Sequence, residues 1–487
     1  MAIEQSQCVT GALDLERIFS SNFWCEPGPL WRIQSWRPLP VLAWWGLHRF
    51  GGSPVAFHLL NLALHLGCTA LVWCLGHDLK LGERAAGFGA LLFACLAIHV
   101  DAVAMAVGAS ELWSALFVLL ALRAFLAGRW WFLGYAGLAI LAKESGVLFL
   151  PLAITHALVS REPRFGTSRG TIVALALTAG ITFAILAWRA EVIGAWTGTE
   201  IPAHVNPVVA LGVGPRLTAA VAIVGRYHRL TVAGGPLSAD YAHAAIGTGD
   251  ATDWLDFTIG LLAIVGWIGL GWWQRKSPAV VFLAAWVLGT CSFYSNLLFA
   301  LPAMFAERLF YLPSVAVALA AGWLLSRGLD TSKVRPSLVI GGFGAFVVAQ
   351  TALSMLHTWQ YGSELRIIEA TVEATPNNAR ARMWLAIRKL EAGDPESARE
   401  HARVASSIRP RWGAPVALEA AVADVEGKPQ VAIEGFRDAM QLDPTDPEVA
   451  NLFIQFLLRY GHQEHARMVY AAHSKARGAP HPEVVQP

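Results

Sequence analysis

The sequence predicts an all-α protein: a polytopic membrane helix bundle of about 10–11 membrane helices, followed by a C-terminal array of helical repeats. Three observations carry that class. Of 487 residues, 55% are hydrophobic and only 15% charged, against about a quarter charged in soluble domains. Several apolar windows reach the roughly 18–20 residues needed to cross a bilayer, and the mean hydropathy of +0.47 agrees. From about residue 360 the composition turns abruptly to charged, Ala-rich helical sequence. The net charge of +2, with no basic block, argues against a nucleic-acid partner.

The apolar segments predict spans at 37–50 with 55–76, and at 84–99, 110–127, 130–142, 145–160, 170–190, 254–273, 278–293, 308–326 and 336–356. Most short-loop Lys and Arg fall in "HDLKLGER" (77–84), "SREPRFGTSR" (160–169), "WWQRKS" (272–277) and "SRGLDTSKVR" (326–335), which are therefore expected on the cytoplasmic side. His99, Asp101, residues 191–253, the 294–307 loop and everything after 356 then fall on the outer side. This parity requires the stretch 216–233 to be an interfacial or re-entrant helix. Gly225, Arg226, His228 and Arg229 within it suit that.

In the C-terminal third, Gly393, Gly427 and Gly461 are spaced by 34, as are Ala398, Ala432 and Ala466, and Pro376, Pro410 and Pro444. A 34-residue period with Gly between helices, Ala in the second helix and Pro at its end is the tetratricopeptide pattern. The expected organisation is an outer N-terminal segment (1–35), a membrane domain (36–358), repeats (359–475) led by a lone helix at 363–374, and a disordered tail (476–487). Such repeats form a concave, protein-holding surface.

Cys68, Cys74, Cys95 and Cys291 lie in apolar runs and read as packing residues, while Cys8 and Cys25 could pair if their segment is extracytoplasmic. "MAIEQSQCVTGALDLERIF" has neither the basic start and apolar core of a signal peptide nor the length of a span.

Ionisable groups at membrane depth cost roughly 2.5–3.5 kcal/mol each, so each is a candidate for function. In "FACLAIHVDAVAMAVGASELW" (93–113), a short helix over 101–112 along the outer surface would turn Asp101 and Glu111 toward a cleft beside His99. Their functional reading is acid–base or orienting chemistry; the bland one is an interfacial polar boundary. In "FHLLNLALHL", His58, Asn61 and His65 share one helical stripe, read first as an interhelical hydrogen-bond seam. Lys143 and Glu144 in "LAKES" sit at the outer end of a helical hairpin, where the lysine either neutralises a phosphate or snorkels to the interface. Glu307 and Arg308 open a span on the outer side. Guanidinium suits a lipid-borne phosphate there, with Arg226, Tyr227 and Arg229 adding to the site; an Arg–Glu pair closing a helix end is the alternative. No cluster has metal-ligand spacing, so no metal or other cofactor is expected.

The ordered stretches "IFSSNFW", "WRPLPVL", "FHLLNLALHL", "IHVDAVAMAVGASELWSALFVLLAL", "LAKESGVLFLPL", "GRYHRLTVAGGPLSADY" and "AERLFYLPSV" run from Ile18 to Val315. With them the chain resembles the transmembrane and tetratricopeptide-repeat-containing O-mannosyltransferases and their bacterial relatives, within the GT-C glycosyltransferases. The resemblance implies transfer of a sugar, with inversion, from a polyprenyl-phosphate donor to a protein Ser/Thr hydroxyl on the outer face of a bacterial inner or plasma membrane. It implies catalytic roles for His99 and Asp101, with aspartate where the family's "H-x-E-A" has glutamate, and a donor-phosphate contact from Arg308, to which Lys143 and Arg226 are expected to add on the residue reading above. Glu111, Glu144, Glu307, Tyr227 and Asp240 complete the expected polar cleft. The family begins with a further span and a paired-acid motif upstream of "AIEQSQCVTG". The expectation is therefore a fragment, a misplaced start or a degenerate member, with Asp14 and Glu16 the nearby acids that could substitute for the motif.

The rival class is a non-catalytic, membrane-anchored repeat scaffold for envelope assembly. A transporter is disfavoured, because no pair of broken helices recurs in corresponding halves.

Overall fold

The computed structural model describes residues 6–25, 35–196, 201, 203, 205–242, 246–247, 252–330, 335–478 and 484–486. Parts of the expected 1–35 segment, the 326–335 basic loop and the 476–487 tail lie outside these. The described residues are helical with no strand, in two compact units: Met1–Leu237 with Gly247–Tyr361, and Ser238–Ile246 with Gly362–Pro487.

The first unit begins with short helices α1 (Gln7–Thr10) and α2 (Leu15–Ser20), and the Cys8–Cys25 disulfide ties α1 to the turn that follows α2. Then come α3 (Pro38–Arg49), α4 (Pro54–Asp78), α5 (Glu83–Cys95), α6 (Val100–Ala104), α7 (Ala109–Leu126), α8 (Phe132–Ala142), α9 (Phe149–Ser160), α10 (Ser168–Ile193), α11 (Val213–Ala233), α12 (Trp254–Trp273), α13 (Pro278–Tyr294), α14 (Tyr311–Asp330) and α15 (Pro336–Tyr361). Among the described residues six helices are long and apolar enough to cross a membrane, and a seventh qualifies when α5 and Ala97–Ala104, bent by 54°, count as one span. The chain is a multi-pass membrane protein. Fewer helices reach spanning length than the 10–11 expected, because three apolar helices, Phe132–Ala142, Glu144–Ser160 and Pro278–Tyr294, are cut short by turns. α11 is not among the six.

Side-chain contacts sort the helix ends into two sets. At one end Arg123 reaches Asp78 at 2.5 Å, Arg84 reaches Asp330 at 3.1 Å, and Leu81, Leu270, Val280 and Trp323 share one apolar cluster. These are the ends bearing the basic loops. The other end gathers α6, the starts of α7 and α14, the α8–α9 turn and the end of α15. Large apolar side chains such as Leu262, Val265 and Ile268 on α12, and Leu338 and Val348 on α15, face outward as a lipid-exposed surface requires.

The second unit contains α16 (Glu364–Ala374), α17 (Ala379–Glu391), α18 (Pro395–Ile408), α19 (Gly413–Val425), α20 (Pro429–Leu442), α21 (Pro447–Arg459) and α22 (Gln463–Arg477). The helix starts repeat at a step of 34: 379, 413 and 447, then 395, 429 and 463. Gly393, Gly427 and Gly461 turn the chain within each pair at φ near +78° (79°, 77° and 77°), where a side chain would be strained. Ala398, Ala432 and Ala466, all buried, let paired helices approach. α22 extends through Arg477, past the expected tail boundary at 476, and Val484 is buried.

Candidate functional site

Two breaks in helical structure build the site. The 101–112 stretch is not one short helix, a correction to the sequence reading. α6 stops at Ala104, Met105 is extended (φ −84°, ψ 131°), and α7 starts at Ala109. Gly108 permits this: a Cβ there would lie 2.0 Å from the Ala102 carbonyl oxygen. Asn61 on α4 satisfies the broken ladder, its Nδ2 donating to the carbonyls of Val103 at 3.2 Å and Met105 at 2.7 Å. The expected α4 seam thus includes Asn61 and also His65, whose ring meets the Tyr311 hydroxyl at 2.8 Å, whereas His58 is exposed outside it. At the second break, extended Lys143 joins α8 to a 3-10 turn over Glu144–Leu148. Gly146 folds that turn onto α8 so closely that a Cβ would meet the Ala139 carbonyl carbon at 2.3 Å.

The breaks bring carboxylates and cations together. Asp101, 1% exposed, accepts from Arg308 Nη1 at 3.0 Å (Oδ2) and 3.3 Å (Oδ1), and from the Arg308 backbone N–H at 3.2 Å. The Tyr361 hydroxyl, at the end of α15, lies 3.4 Å from the same carboxylate. Arg308 sits on a 3-10 turn, Glu307–Phe310, that leads into α14. Its side chain is 31% exposed, and its Nε and Nη2 have no hydrogen-bond partner among the described residues. Lys143 ion-pairs with buried Glu111, and Arg308 and Glu111 are close enough to interact electrostatically. Glu144 is held by Arg37 Nε at 3.1 Å, the Trp36 backbone N–H at 3.4 Å and Arg189 at 3.8 Å.

Other expected residues lie differently. His99 meets Ser314 Oγ at 2.8 Å and packs between the Phe93 and Tyr311 rings, with no bond to Asp101 among the described residues. Glu307 is buried on the Arg308 turn. Tyr227 stacks on Phe305 and Phe310 and donates to the Ala306 carbonyl at 3.2 Å, so it braces that turn. Arg226 is engaged with Asp256 at 2.7 Å and Asp253 at 3.4 Å, in a network that also holds Arg229. Asp240 belongs to the second unit, bound by Asn378 and Arg380. Sequence reasoning passed over Arg37, Arg189 and Tyr361, although each is a polar group at a helix end that parity places with the cluster. Among the described residues no three His, Cys, Asp or Glu side chains are placed to hold a metal ion.

No family model matches the chain. Curated relatives do. The human protein O-mannosyl-transferase TMTC2 is 32% identical over 231 residues, covering 42% of this chain and 27% of that protein. The Drosophila melanogaster protein O-mannosyl-transferase Tmtc1 is 35% identical over 159 residues, 31% of this chain and 18% of that protein. The mouse protein O-mannosyl-transferase TMTC3 is 25% identical over 418 residues, 76% of this chain and 44% of that protein. The chain resembles the TMTC protein O-mannosyl-transferases. It spans about a quarter of human TMTC2 and under half of mouse TMTC3. The likeness to TMTC3 extends over most of this chain.

Proposed function

We propose that this chain is a membrane glycosyltransferase that moves a mannose or another hexose from a polyprenyl-phosphate donor to a protein Ser/Thr hydroxyl. The observation that carries the reading is the Asp101–Arg308 pair. A buried carboxylate orients a partly exposed guanidinium whose Nε and Nη2 edge remains available to a phosphate. The likeness to proteins named as O-mannosyl-transferases supports it.

In the proposed reaction the acceptor oxygen bonds the anomeric carbon as the bond to the donor phosphate breaks. The hydroxyl proton passes to a carboxylate, and polyprenyl phosphate leaves carrying the electron pair. Arg308, with Lys143 nearby, offsets the charge growing on that phosphate. A phosphate drawing Arg308 toward itself loosens the grip on Asp101, which leaves Asp101 able to accept the proton. His99, sealed between aromatic rings, is assigned to positioning the 97–99 turn.

The Cys8–Cys25 disulfide supports placing the site end on the non-cytosolic side of an inner or plasma membrane, since structural disulfides persist in oxidising compartments. Arg37, just beyond that lobe, binds Glu144 at the site. The 34-residue helix pairs, read as tetratricopeptide repeats, are proposed to lie on the same side and hold the acceptor protein. The test supplies labelled polyprenyl-phosphate mannose to membranes carrying the chain or Arg308→Ala. Label entering protein with the parent chain, and lost with the variant, is expected. No transfer by either overturns the reading and leaves the scaffold class standing.

A further inference from the structure

We infer that the end of the second unit around Asn451 is a docking surface for a non-helical polypeptide segment bearing an aliphatic side chain, and that the chain's own residues 484–486 occupy it. The inference concerns binding alone and stands independently of the transferase reading.

Val484 is 3% exposed and joins the apolar cluster of Val449, Ala450, Phe453 and Ile454, while Val485 and Gln486 beside it are exposed. The Val485 backbone N–H donates to Asn451 Oδ1 at 2.9 Å. One buried aliphatic side chain and one main-chain amide read by a side-chain carbonyl are what a non-helical segment offers for recognition.

The 34-residue register shows what sets this position apart. Stepping back from Asn451 gives Ala417 and then Met383, 0% and 3% exposed. Both belong to the apolar cluster of the repeats, in which α19 packs on α17 and α21 packs on α19. A covering helix spends its amides on its own carbonyls, so an apolar residue beneath it suffices. Asn451 replaces that apolar residue with an acceptor. The amides of a covering helix cannot use the acceptor, and the amide of a non-helical chain can. The side chain thus favours a non-helical segment as occupant.

Occupancy by the chain's own segment makes the surface self-competing. Val484 follows Gly478, the left-handed cap of α22 at φ 78°, by six residues. A tether that short sets an effective concentration on the order of mM. A resident segment of about 0.1 mM intrinsic affinity then weakens capture of an outside segment about tenfold.

The test uses the full chain in detergent micelles and a fluorescein-labelled peptide of sequence PEVVQP, read by anisotropy. Val484→Asp, which expels the resident segment, is expected to bind the peptide about tenfold tighter than the parent chain. Adding Asn451→Leu, the apolar residue type found one and two steps back, should abolish the gain. The peptide PEDVQP should bind neither. Hydrogen exchange supplies the second readout: the Val485 amide is expected to be protected in the parent chain and to lose protection in Asn451→Leu. Equal peptide binding by the parent chain and Val484→Asp, or indifference to Asn451→Leu, overturns the inference. So does Val484→Asp exposing the amides of α21 and α22 throughout, which would make residues 484–486 a structural cap and not a ligand.

Discussion

Arg308 grips Asp101 three times, twice through Nη1 and once through its own backbone N–H, across a sequence separation of 207. The backbone bond fixes the turn before α14 to α6, and the side-chain bonds fix the guanidinium on that turn. The pair is therefore a strut between two helix ends and a polar site at once.

This dual role separates charge from geometry. Arg308→Lys keeps a cation but not the forked donors, so sugar transfer should fall by about 10–100-fold at nearly unchanged thermal stability. Arg308→Ala leaves a buried carboxylate without its cation. Breaking a fully buried pair costs about 3–5 kcal/mol, and the partial exposure of Arg308 reduces that to about 1–3 kcal/mol. Asp101→Asn combined with Arg308→Ala should be no worse than Arg308→Ala alone, because the two act as a unit. Additive losses in transfer assays and in melting would show that they act separately.

How much of this was legible in the sequence depends on the length scale of the cause. The boundaries of α4, α10, α12 and α15 follow from apolar length and flanking polarity, which are local. The 34-step recurrence is likewise written in Gly, Ala and Pro positions. Partner choice is not local: nothing near Asp101 selects Arg308 over Lys143. His99 and Asp101, two residues apart, read as one site, yet the change from 3-10 to α-helix at Val100 sends His99 to Ser314 and Asp101 to Arg308. The break at Met105 was hidden because "AVAMAVGAS" has good helix formers on both sides. It is imposed from outside, by Asn61 and the close approach of Gly108. Arg37 was obscured by the Pro-rich context of "WRPLPVL".

The second buried pair behaves differently from the first. The Lys143 and Glu111 side chains are 10% and 2% exposed, and water can do little to compensate a lone partner. Glu111→Gln should destabilise the chain by about 3–5 kcal/mol in detergent melting, and Glu111→Leu with Lys143→Met should recover most of that loss. A double variant as unstable as Glu111→Gln would mean that the charges themselves hold the fold.

The two turn glycines should be intolerant for steric reasons alone. Gly146→Ala drives a methyl into the Ala139 carbonyl and Gly108→Ala into that of Ala102, so each must shift the backbone that carries Lys143 or Glu111. Both are expected to lower folded yield and transfer together. Gly134→Ala on α8, where nothing lies within 4 Å of the added carbon, is the matched control and should leave both unchanged.

The Cys8–Cys25 bridge closes a sequence separation of 17, and removing it with Cys8→Ser should cost about 3 kcal/mol, felt as early proteolysis of the N-terminal lobe. Alkylation without reductant in intact cells should leave these two thiols unlabelled. If both label, the lobe faces a reducing compartment. Because Arg37 ties its neighbour segment to Glu144, the site would then face that compartment too, and transfer on the outer face would be impossible.

Asp446 gives the second unit a pH-dependent term of unusual sign. Burial raises its carboxyl above the ordinary carboxylate range, and this outweighs the hydrogen bonds it accepts from Trp412 Nε1 at 2.7 Å and from the Glu448 backbone N–H at 2.8 Å. A carboxyl whose value is raised on folding binds protons more tightly in the folded state. Its contribution is therefore present at low pH and lost as pH rises from the ordinary carboxylate value through the raised one. Amide exchange at the start of α21 should accordingly quicken across that window beyond the intrinsic base-catalysed trend. Asp446→Asn keeps an acceptor for Trp412 and carries no titrating charge, so it should flatten the extra slope and hold α21 at least as firmly at neutral pH. An unchanged slope in the variant would assign the effect to Glu448, whose carboxyl burial also raises.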